Sequence, residues 1–249
     1  MRVAALYDIH GNLPALEAVL QDIRREEIDL VVVGGDVFPG PMPFETLACL
    51  RDLDFPVRFI RGNGDRVVLA QMKGEDISEV PEKYRDVICW TARQLHHEQG
   101  SIIASWPTSC RVEIPGIGGV LFCHATPRND TECFTRLTTN ERLATVFAEV
   151  IEPVVICGHT HMQFDRKVGN VRIVNSGSVG MPFSQPPGAC WLLLGPDVQM
   201  RRTVYDFAKA AKRIRDTSFP QAEYFAVRYV LQPPTEEESL EQMSHVELR

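Results

Sequence analysis

Apolar and polar positions follow a repeating order over the first sixty residues. Residues 2–7 (RVAALY) are an apolar run short enough for a buried strand. From Leu13 to Glu27 apolar residues recur at Leu13, Leu16, Val19, Leu20 and Ile23, the spacing of a helix with one apolar face. Leu30-Val31-Val32-Val33 predicts a second buried strand, closed by Gly34-Gly35. A helix is expected over about 43–52, then a third strand, Val57-Arg58-Phe59-Ile60, closed by Arg61-Gly62-Asn63-Gly64. Strand, helix, strand, helix, strand predicts a parallel α/β sheet.

The pattern then changes. Residues 79–100 read as helical around Trp90 and Leu95. Short strand-like runs follow at 110–114, 119–123, 154–157, 171–175, 190–194 and 200–205, with a helix near 140–149 between them. A parallel half followed by a strand-rich half fits one α/β domain over 1–231, with two packed sheets and outer helices. Residues 206–217 read as a basic amphipathic helix whose Lys209, Lys212, Arg213 and Arg215 form a solvated face. The segment 232–249, with Pro233-Pro234 and a run of Glu, is expected to be a weakly ordered acidic tail.

Composition narrows the possibilities. The chain has 249 residues and is 44% hydrophobic, enough for one sizeable core. No apolar run approaches the roughly 18 residues needed to span a bilayer. The opening MRVAALYDIHGN lacks the long apolar region of a signal peptide. Seven Cys without a CxxC read as reduced, mostly buried thiols. A soluble cytoplasmic protein is the expectation. The net charge of −7 and the absence of a basic stripe argue against a dedicated duplex nucleic-acid surface. A small phosphorylated substrate is compatible with that charge, because bound cations reverse the local field. A homo-oligomer is left open.

Nearly every apolar run ends in a polar residue able to bind metal. The first ends in Asp8-Ile9-His10, the second in Asp36 and the third in Asn63. His124 follows Val120-Leu121-Phe122-Cys123, and His159-Thr160-His161 follows Val154–Gly158. In open α/β sheets, sites form beyond the carboxyl ends of strands, so the sheet would gather these groups at one edge. Asp8 and His10 are two apart, as are His159 and His161, a spacing that puts both on one side of an extended segment. Mixed imidazole, carboxylate and amide donors suit Mn, Fe or Zn better than Ca or Mg. Two-metal hydrolases hold their ions about 3.5–4 Å apart and need a bridging carboxylate. Asp36, the lone carboxylate at its strand end, is the natural bridge.

The ordered set DIHGN (8–12), GGDVFPGP (34–41), RGNGD (61–65), the strand into His124, and GHTH (158–161) resembles the calcineurin-like metallophosphoesterase superfamily. VNSGSVG (174–180) extends the match. Within it, the chain looks most like compact bacterial and archaeal phosphodiesterases and the diadenosine-tetraphosphatase-like group. The resemblance implies a four-layer αββα sandwich. It implies that Asp8, His10 and His161 hold one metal with Asp36, and that Asn63, His124 and His159 hold the second with Asp36. The cofactor would be two divalent transition-metal ions, with manganese first and iron, zinc or nickel as alternatives. A hydroxide between them would attack phosphorus in line with the leaving oxygen, hydrolysing a phosphodiester or phosphoanhydride, a nucleotide among the candidates. Asp36, Asn63 and His124 would take part in that catalysis, and Arg61 would contact the phosphate as a guanidinium. Arg66 is the weaker choice.

The sequence departs from the family at Gly64, where many members carry a His thought to protonate the leaving group. A positioned general acid contributes about 10²–10⁴-fold. Its loss predicts weak activity on alkyl monoesters and better activity on diesters with good leaving groups or on anhydrides. His96 or His97 would substitute if their helix lay over the site. Asp65, which would orient the missing His, is free to hold the loop or Arg61. Tyr7 replaces a small residue and is expected in the core or the pocket. Gly11-Asn12 is expected to shape the turn into the first helix. The competing reading is a scaffold of the same fold that binds metal without turnover. A lactamase-type metallohydrolase would need an HxHxDH cluster, which is absent.

Overall fold

Val3–Leu6 (β1), Leu30–Val33 (β2) and Val57–Phe59 (β3) pair in parallel, in register Val3 to Leu30 and Val31 to Val57. Helices Leu13–Ile23 (α1) and Pro43–Arg51 (α2) make the crossovers. The computed structural model describes residues 1–245 and Leu248. After β3 come four helices and strands in turn: Asn63–Met72 (α3), Glu82–Gln94 (α4), His97–Ala104 (α5), Ser109–Ile114 (β4), Gly118–Cys123 (β5), Asn140–Val146 (α6) and Val154–Cys157 (β6). Gln163–Val168 (β7), Val171–Ser176 (β8), Ala189–Leu194 (β9) and Val198–Thr203 (β10) complete the strands. Phe207–Arg215 (α7), Ala222–Phe225 (α8), a π-helical continuation over Ala226–Leu231, and Glu236–Ser244 (α9) follow.

The strands form two mixed five-stranded sheets, ordered β10-β9-β1-β2-β3 and β4-β5-β6-β8-β7. Side chains alternate across each strand. Val3, Ala5, Tyr7 and Val32 of the first sheet pack against Val120, Phe122, Val154 and Ile156 of the second. The opposite faces take helices. Ala4, Leu6, Val31 and Val33 meet Leu16, Val19 and Leu20 of α1 and Leu47 of α2. Leu121, Val155 and Ile173 meet Leu143 and Val146 of α6. The layers are therefore helix, sheet, sheet, helix, the expected α/β sandwich. Among the described residues no helix is long and apolar enough to cross a membrane.

Several elements differ from expectation. The helix over 79–100 is two helices, α4 and α5, broken at Leu95 and His96. Asn63 does not merely close β3; it opens α3, whose first turn is secured by the Asp65 side chain. The edge strand β7 was not predicted, since QFDRKV carries only two inward residues, Phe164 and Val168. The acidic tail is helical over Glu236–Ser244. Thr235 Oγ1 accepts from Glu238 N–H at 3.2 Å, and Glu238 Oε2 accepts from Thr235 N–H at 2.9 Å. This reciprocal cap and the acidic first turn Glu236, Glu237, Glu238 favour a helix N-terminus. Leu240 is buried, and Glu236 pairs with Arg136. The part of the tail expectation covering 246, 247 and 249 lies outside the described residues.

Candidate metal centre

The polar residues predicted at strand ends do share one edge. Asp8 and His10 follow β1, Asp36 follows β2, Asn63 lies just past β3, His124 follows β5, and His159 and His161 follow β6. Donor atoms of Asp8, His10 and His161 form one group, and those of Asp36, His124 and His159 a second, each group within 4.8 Å. Asp36 reaches both. Its Oδ2 is 3.7 Å from His10 Nε2 and its Oδ1 is 3.5 Å from His124 Nε2. Asp8 Oδ1 lies 3.4 Å from His161 Nε2 and 3.9 Å from His124 Nε2.

The backbone there is unusual. Asp8, His10, Asp36, His159 and His161 have φ of 53°, 48°, 49°, 64° and 60°. A non-glycine residue in this left-handed region costs about 1–2 kcal/mol. The extended geometry expected for Asp8-Ile9-His10 is thus corrected: the chain curls immediately after β1. The curl is held from outside. Asp8 N–H donates to the Gly35 carbonyl at 3.1 Å, and His10 N–H to the Asp36 carbonyl at 3.0 Å. Ser178 Oγ and Gly180 N–H both donate to the Asp8 carbonyl, at 2.7 and 3.0 Å. The VNSGSVG segment therefore pins the backbone that carries Asp8.

All four imidazoles share one orientation. His10 Nδ1 faces the Pro39 carbonyl at 3.2 Å, His124 Nδ1 the Gly34 carbonyl at 3.0 Å, and His161 Nδ1 the Met181 carbonyl at 2.9 Å. His159 Nε2 faces the Thr131 carbonyl at 3.2 Å, with Cys133 Sγ at 3.3 Å. A carbonyl can only accept, so each of these nitrogens is the donor, and in the neutral tautomer the other nitrogen is left bare. The bare nitrogens turn inward. His10 Nε2 and His161 Nε2 lie 3.3 Å apart. The Asn63 amide atom facing inward is 3.0 Å from both His124 Nε2 and His159 Nδ1. With its oxygen inward, three lone pairs converge on one point, which a cation stabilises. With its NH2 inward, it donates to both rings and to the Asp130 carbonyl, the arrangement available without a cation. Asp8 Oδ1 is buried with no hydrogen-bond partner, while Oδ2 accepts from His159 N–H at 2.8 Å. An orphaned carboxylate oxygen among bare imidazole nitrogens fits a bound cation.

The electrostatics agree. Burial lowers His10 and His159 to about 3, with His161 and His124 respectively the next contributors. Both rings are therefore neutral at pH 7, the form in which an imidazole can bind a cation. Burial raises the Asp36 carboxyl, and the neighbouring Asp8 charge raises it further. Burial also raises Asp8, but positive charge at the facing imidazole positions, His161 foremost, outweighs it and brings Asp8 down to about 2; a cation held between bare nitrogens would supply the same positive charge. Two buried carboxylates so close ionise together only with positive charge between them.

Small residues make room for this arrangement. A Cβ on Gly34 would sit 2.0 Å from the Tyr7 ring. Tyr7 is in the core, its hydroxyl donating to the Ile156 carbonyl at 3.1 Å. Asp65 holds the loops: its carboxylate accepts from Asp36, Gly62 and Phe38 N–H at 2.9, 3.0 and 3.0 Å. Asn12 caps α1, accepting from Ala15 N–H at 3.2 Å and donating to the Gly180 carbonyl at 2.8 Å.

A cavity of about 660 Å³ opens over the centre, lined by His10, Asp36, Asn63, His159 and His161 among others. Arg61, expected to face phosphate, is not among its lining residues; Arg66 is. The reason is helix α3, which starts at Asn63 and turns Arg66 toward the cavity, where Asp130 holds it at 2.7 and 3.1 Å. His96 packs edge-on to Phe44, and His97 lines a separate cavity with Leu69 and Met72. Neither replaces the missing acid. Residues that sequence reasoning missed are the outer carbonyls, Asp130, Cys133 and the aromatic cavity wall; no local pattern marks them.

The sequence matches the calcineurin-like phosphoesterase superfamily domain over residues 1–195. An uncharacterized protein of Methanocaldococcus jannaschii, MJ0912, is 27% identical, over 88% of this chain and 94% of its own length. Among solved structures, a metallophosphoesterase from Sphaerobacter thermophilus is similar with a TM-score of 0.69 and 26% identity, covering 92% of this chain and 98% of that one. The hypothetical protein PH1004 from Pyrococcus horikoshii OT3 shares the fold with a TM-score of 0.78 and 22% identity, covering 90% and 97%. With the ordered motifs, the two facing donor groups and a match over most of its length, the chain belongs to the calcineurin-like phosphoesterase superfamily.

Proposed function

We propose that the protein hydrolyses phosphodiester or phosphoanhydride bonds using two divalent transition-metal cations. Asp8, His10 and His161 would hold one and Asn63, His124 and His159 the other, with Asp36 within reach of both groups. The observation that carries this reading is the shared orientation of the four imidazoles, each donating outward to a backbone carbonyl and baring its second nitrogen beside two buried carboxylates. Two adjacent cations lower the pKa of water to about 7, which supplies a nucleophile at neutral pH. Manganese is the first choice, with iron, zinc or nickel as alternatives for this donor set.

The chain's own residues do the positioning. Asp65 ties the loops of Asp36 and Gly62 into one rigid unit. Arg66 supplies a guanidinium on the cavity wall, oriented by Asp130. Gly64 N–H donates to Asp36 Oδ1 at 2.7 Å and no side chain stands there to protonate a leaving group. Substrates whose leaving oxygen departs without help are favoured accordingly. Seven unpaired cysteines fit a reducing compartment, and we place the protein in the cytoplasm.

The test is turnover of bis(p-nitrophenyl) phosphate, p-nitrophenyl phosphate and diadenosine tetraphosphate by the manganese-loaded chain, with cation binding measured alongside. Turnover lost in Asp36→Asn supports the reading. The missing acid at Gly64 favours one second reading, a metal-binding scaffold, for which cations bind and none of the three compounds is hydrolysed.

A further inference from the structure

The cavity has two chemistries. Its floor is the polar cluster just described. Its upper wall is aromatic, and much of it comes from beyond residue 195, after the matched family region. A ladder of rings leads away from the centre. Phe183 lies 4.7 Å from the His161 ring, centroid to centroid. Tyr229 stacks on Phe183 at 6.3 Å and 29°, and Tyr224 meets Tyr229 edge-on at 5.8 Å. At the outer end Tyr224 is 55% exposed, and Tyr84, which lines the same cavity from α4, is 45% exposed. Tyr84 carries Lys83 Nζ 4.7 Å over its ring and Tyr224 packs edge-on against Tyr229, yet both leave large aromatic surface open at the cavity.

Charge is scarce on the same wall. Arg66 is the one cationic side chain among the lining residues, and Glu79 lines the cavity too. The Arg66 guanidinium is engaged by Asp130 at 2.7 Å and faces Glu79 at 3.9 Å. The nearby Lys83 ammonium is turned over the Tyr84 ring at 4.7 Å, so among the described lining residues no Lys or Arg other than Arg66 stands ready for a second or third phosphate.

Resting on the phosphoesterase reading above, we propose that the substrate carries a single phosphate joined to a planar heteroaromatic group, as in a nucleoside phosphodiester, and is not a polyphosphate. The phosphate sits on the floor and the ring stacks along Phe183, Tyr229 and Tyr224. Hydrolysis forms a P–O bond from water and breaks the ester P–O bond. The bonding pair leaves on the ester oxygen, and the water's proton goes to solvent or to the leaving oxygen.

The experiment compares kcat/KM of the manganese-loaded chain for thymidine 5′-p-nitrophenyl phosphate, methyl p-nitrophenyl phosphate and diadenosine tetraphosphate. The first two share a leaving group and differ in the other ester group, a nucleoside against methyl. Equilibrium binding of thymidine 5′-monophosphate and methyl phosphate is measured in parallel. Base stacking on aromatic side chains predicts a preference for the thymidine compounds of roughly tenfold or more. Tyr224→Ala and Tyr229→Leu are expected to shrink that preference about fivefold, with the change in KM. Tyr224 is exposed enough that its truncation leaves the fold intact. Equal kcat/KM for the two diesters, a ratio unmoved in both variants, or faster turnover of diadenosine tetraphosphate overturns the proposal. If no compound is hydrolysed, the hydrolytic reading fails on its own, and binding decides. Tighter thymidine 5′-monophosphate binding that both variants weaken supports the ring site; equal binding of the two phosphates overturns it.

Discussion

The floor and the wall of the cavity are built in opposite ways. The floor gathers strand-end residues from both sheets, strains their backbone and buries their donor atoms against one another. Asp8, His10, Asp36, His159 and His161 all take left-handed φ. The wall gathers helical residues, Tyr84 from α4, Tyr224 from α8 and Tyr229 from the π-helical continuation, none with left-handed φ and with rings packed on one another. A strained, over-determined floor suits chemistry that tolerates no displacement. A relaxed aromatic wall suits selection among substrates, where one ring replaces another at modest cost. On the function proposed above, the comparison would separate catalysis from specificity within one cavity.

The largest expected effect belongs to the floor. Asp36→Asn should lower turnover of every substrate by about 10²–10³-fold or more, and steady-state kinetics on two unrelated diesters would show whether the loss is uniform. A loss confined to one substrate would erase the division between floor and wall. Cation binding is the companion measurement: manganese should raise the melting temperature of the parent chain and not of this variant.

Restoring the general acid should fail. A Cβ at position 64 would lie 2.3 Å from the Phe38 carbonyl oxygen, a backbone atom that cannot step aside. Gly64→His is therefore expected to destabilise the protein by about 1–3 kcal/mol and to lower activity. Thermal unfolding alongside a monoester assay checks both, and a gain in monoester turnover at unchanged stability would refute the steric account.

Protonation offers a finer probe of the floor. With His10 and His159 lowered to about 3 by burial, both rings should stay neutral in chelator-treated protein from pH 8 down to pH 5. Imidazole resonances followed by NMR report this directly. The sign for stability follows. Each ring protonates near 6.5 when unfolded and near 3 when folded, so its contribution is fully present above 6.5 and is lost as the pH falls toward 3. Titration of either ring near pH 6 would mean that the floor opens to water.

The smallest effect lies far from both regions. Thr235→Ala removes the cap of α9 and should cost about 1 kcal/mol, seen in denaturant unfolding, with floor chemistry untouched. A change in turnover would tie the last helix to the cavity.

The floor was legible in the sequence because its signals are local. Each residue of the cluster sits where an apolar run stops, and the rule that sites lie beyond strand ends does the gathering. Asp8, His10, Asp36, Asn63, His124, His159 and His161 were all named on that basis together with the family resemblance. Arg61 shows the limit. It adjoins Asn63 in sequence, yet α3 begins there and a helical turn carries Arg66 to the cavity instead. The acidic tail failed similarly: composition alone suggested disorder, while the reciprocal bonds of Thr235 and Glu238 make the same charges a helix start.

The sequence by itself determined the parallel first half, most of the later strands and the donor types at the strand ends, because periodicity and strand-end polarity are properties of neighbouring residues, and the family resemblance added the two-sheet sandwich. Only the tertiary structure decided which nitrogen of each imidazole faces a carbonyl, that five residues of the cluster bend into left-handed backbone, and that Phe183, Tyr224 and Tyr229 come to line one cavity. Those depend on carbonyls and rings brought together from distant parts of the chain, and no local pattern encodes a distance between them.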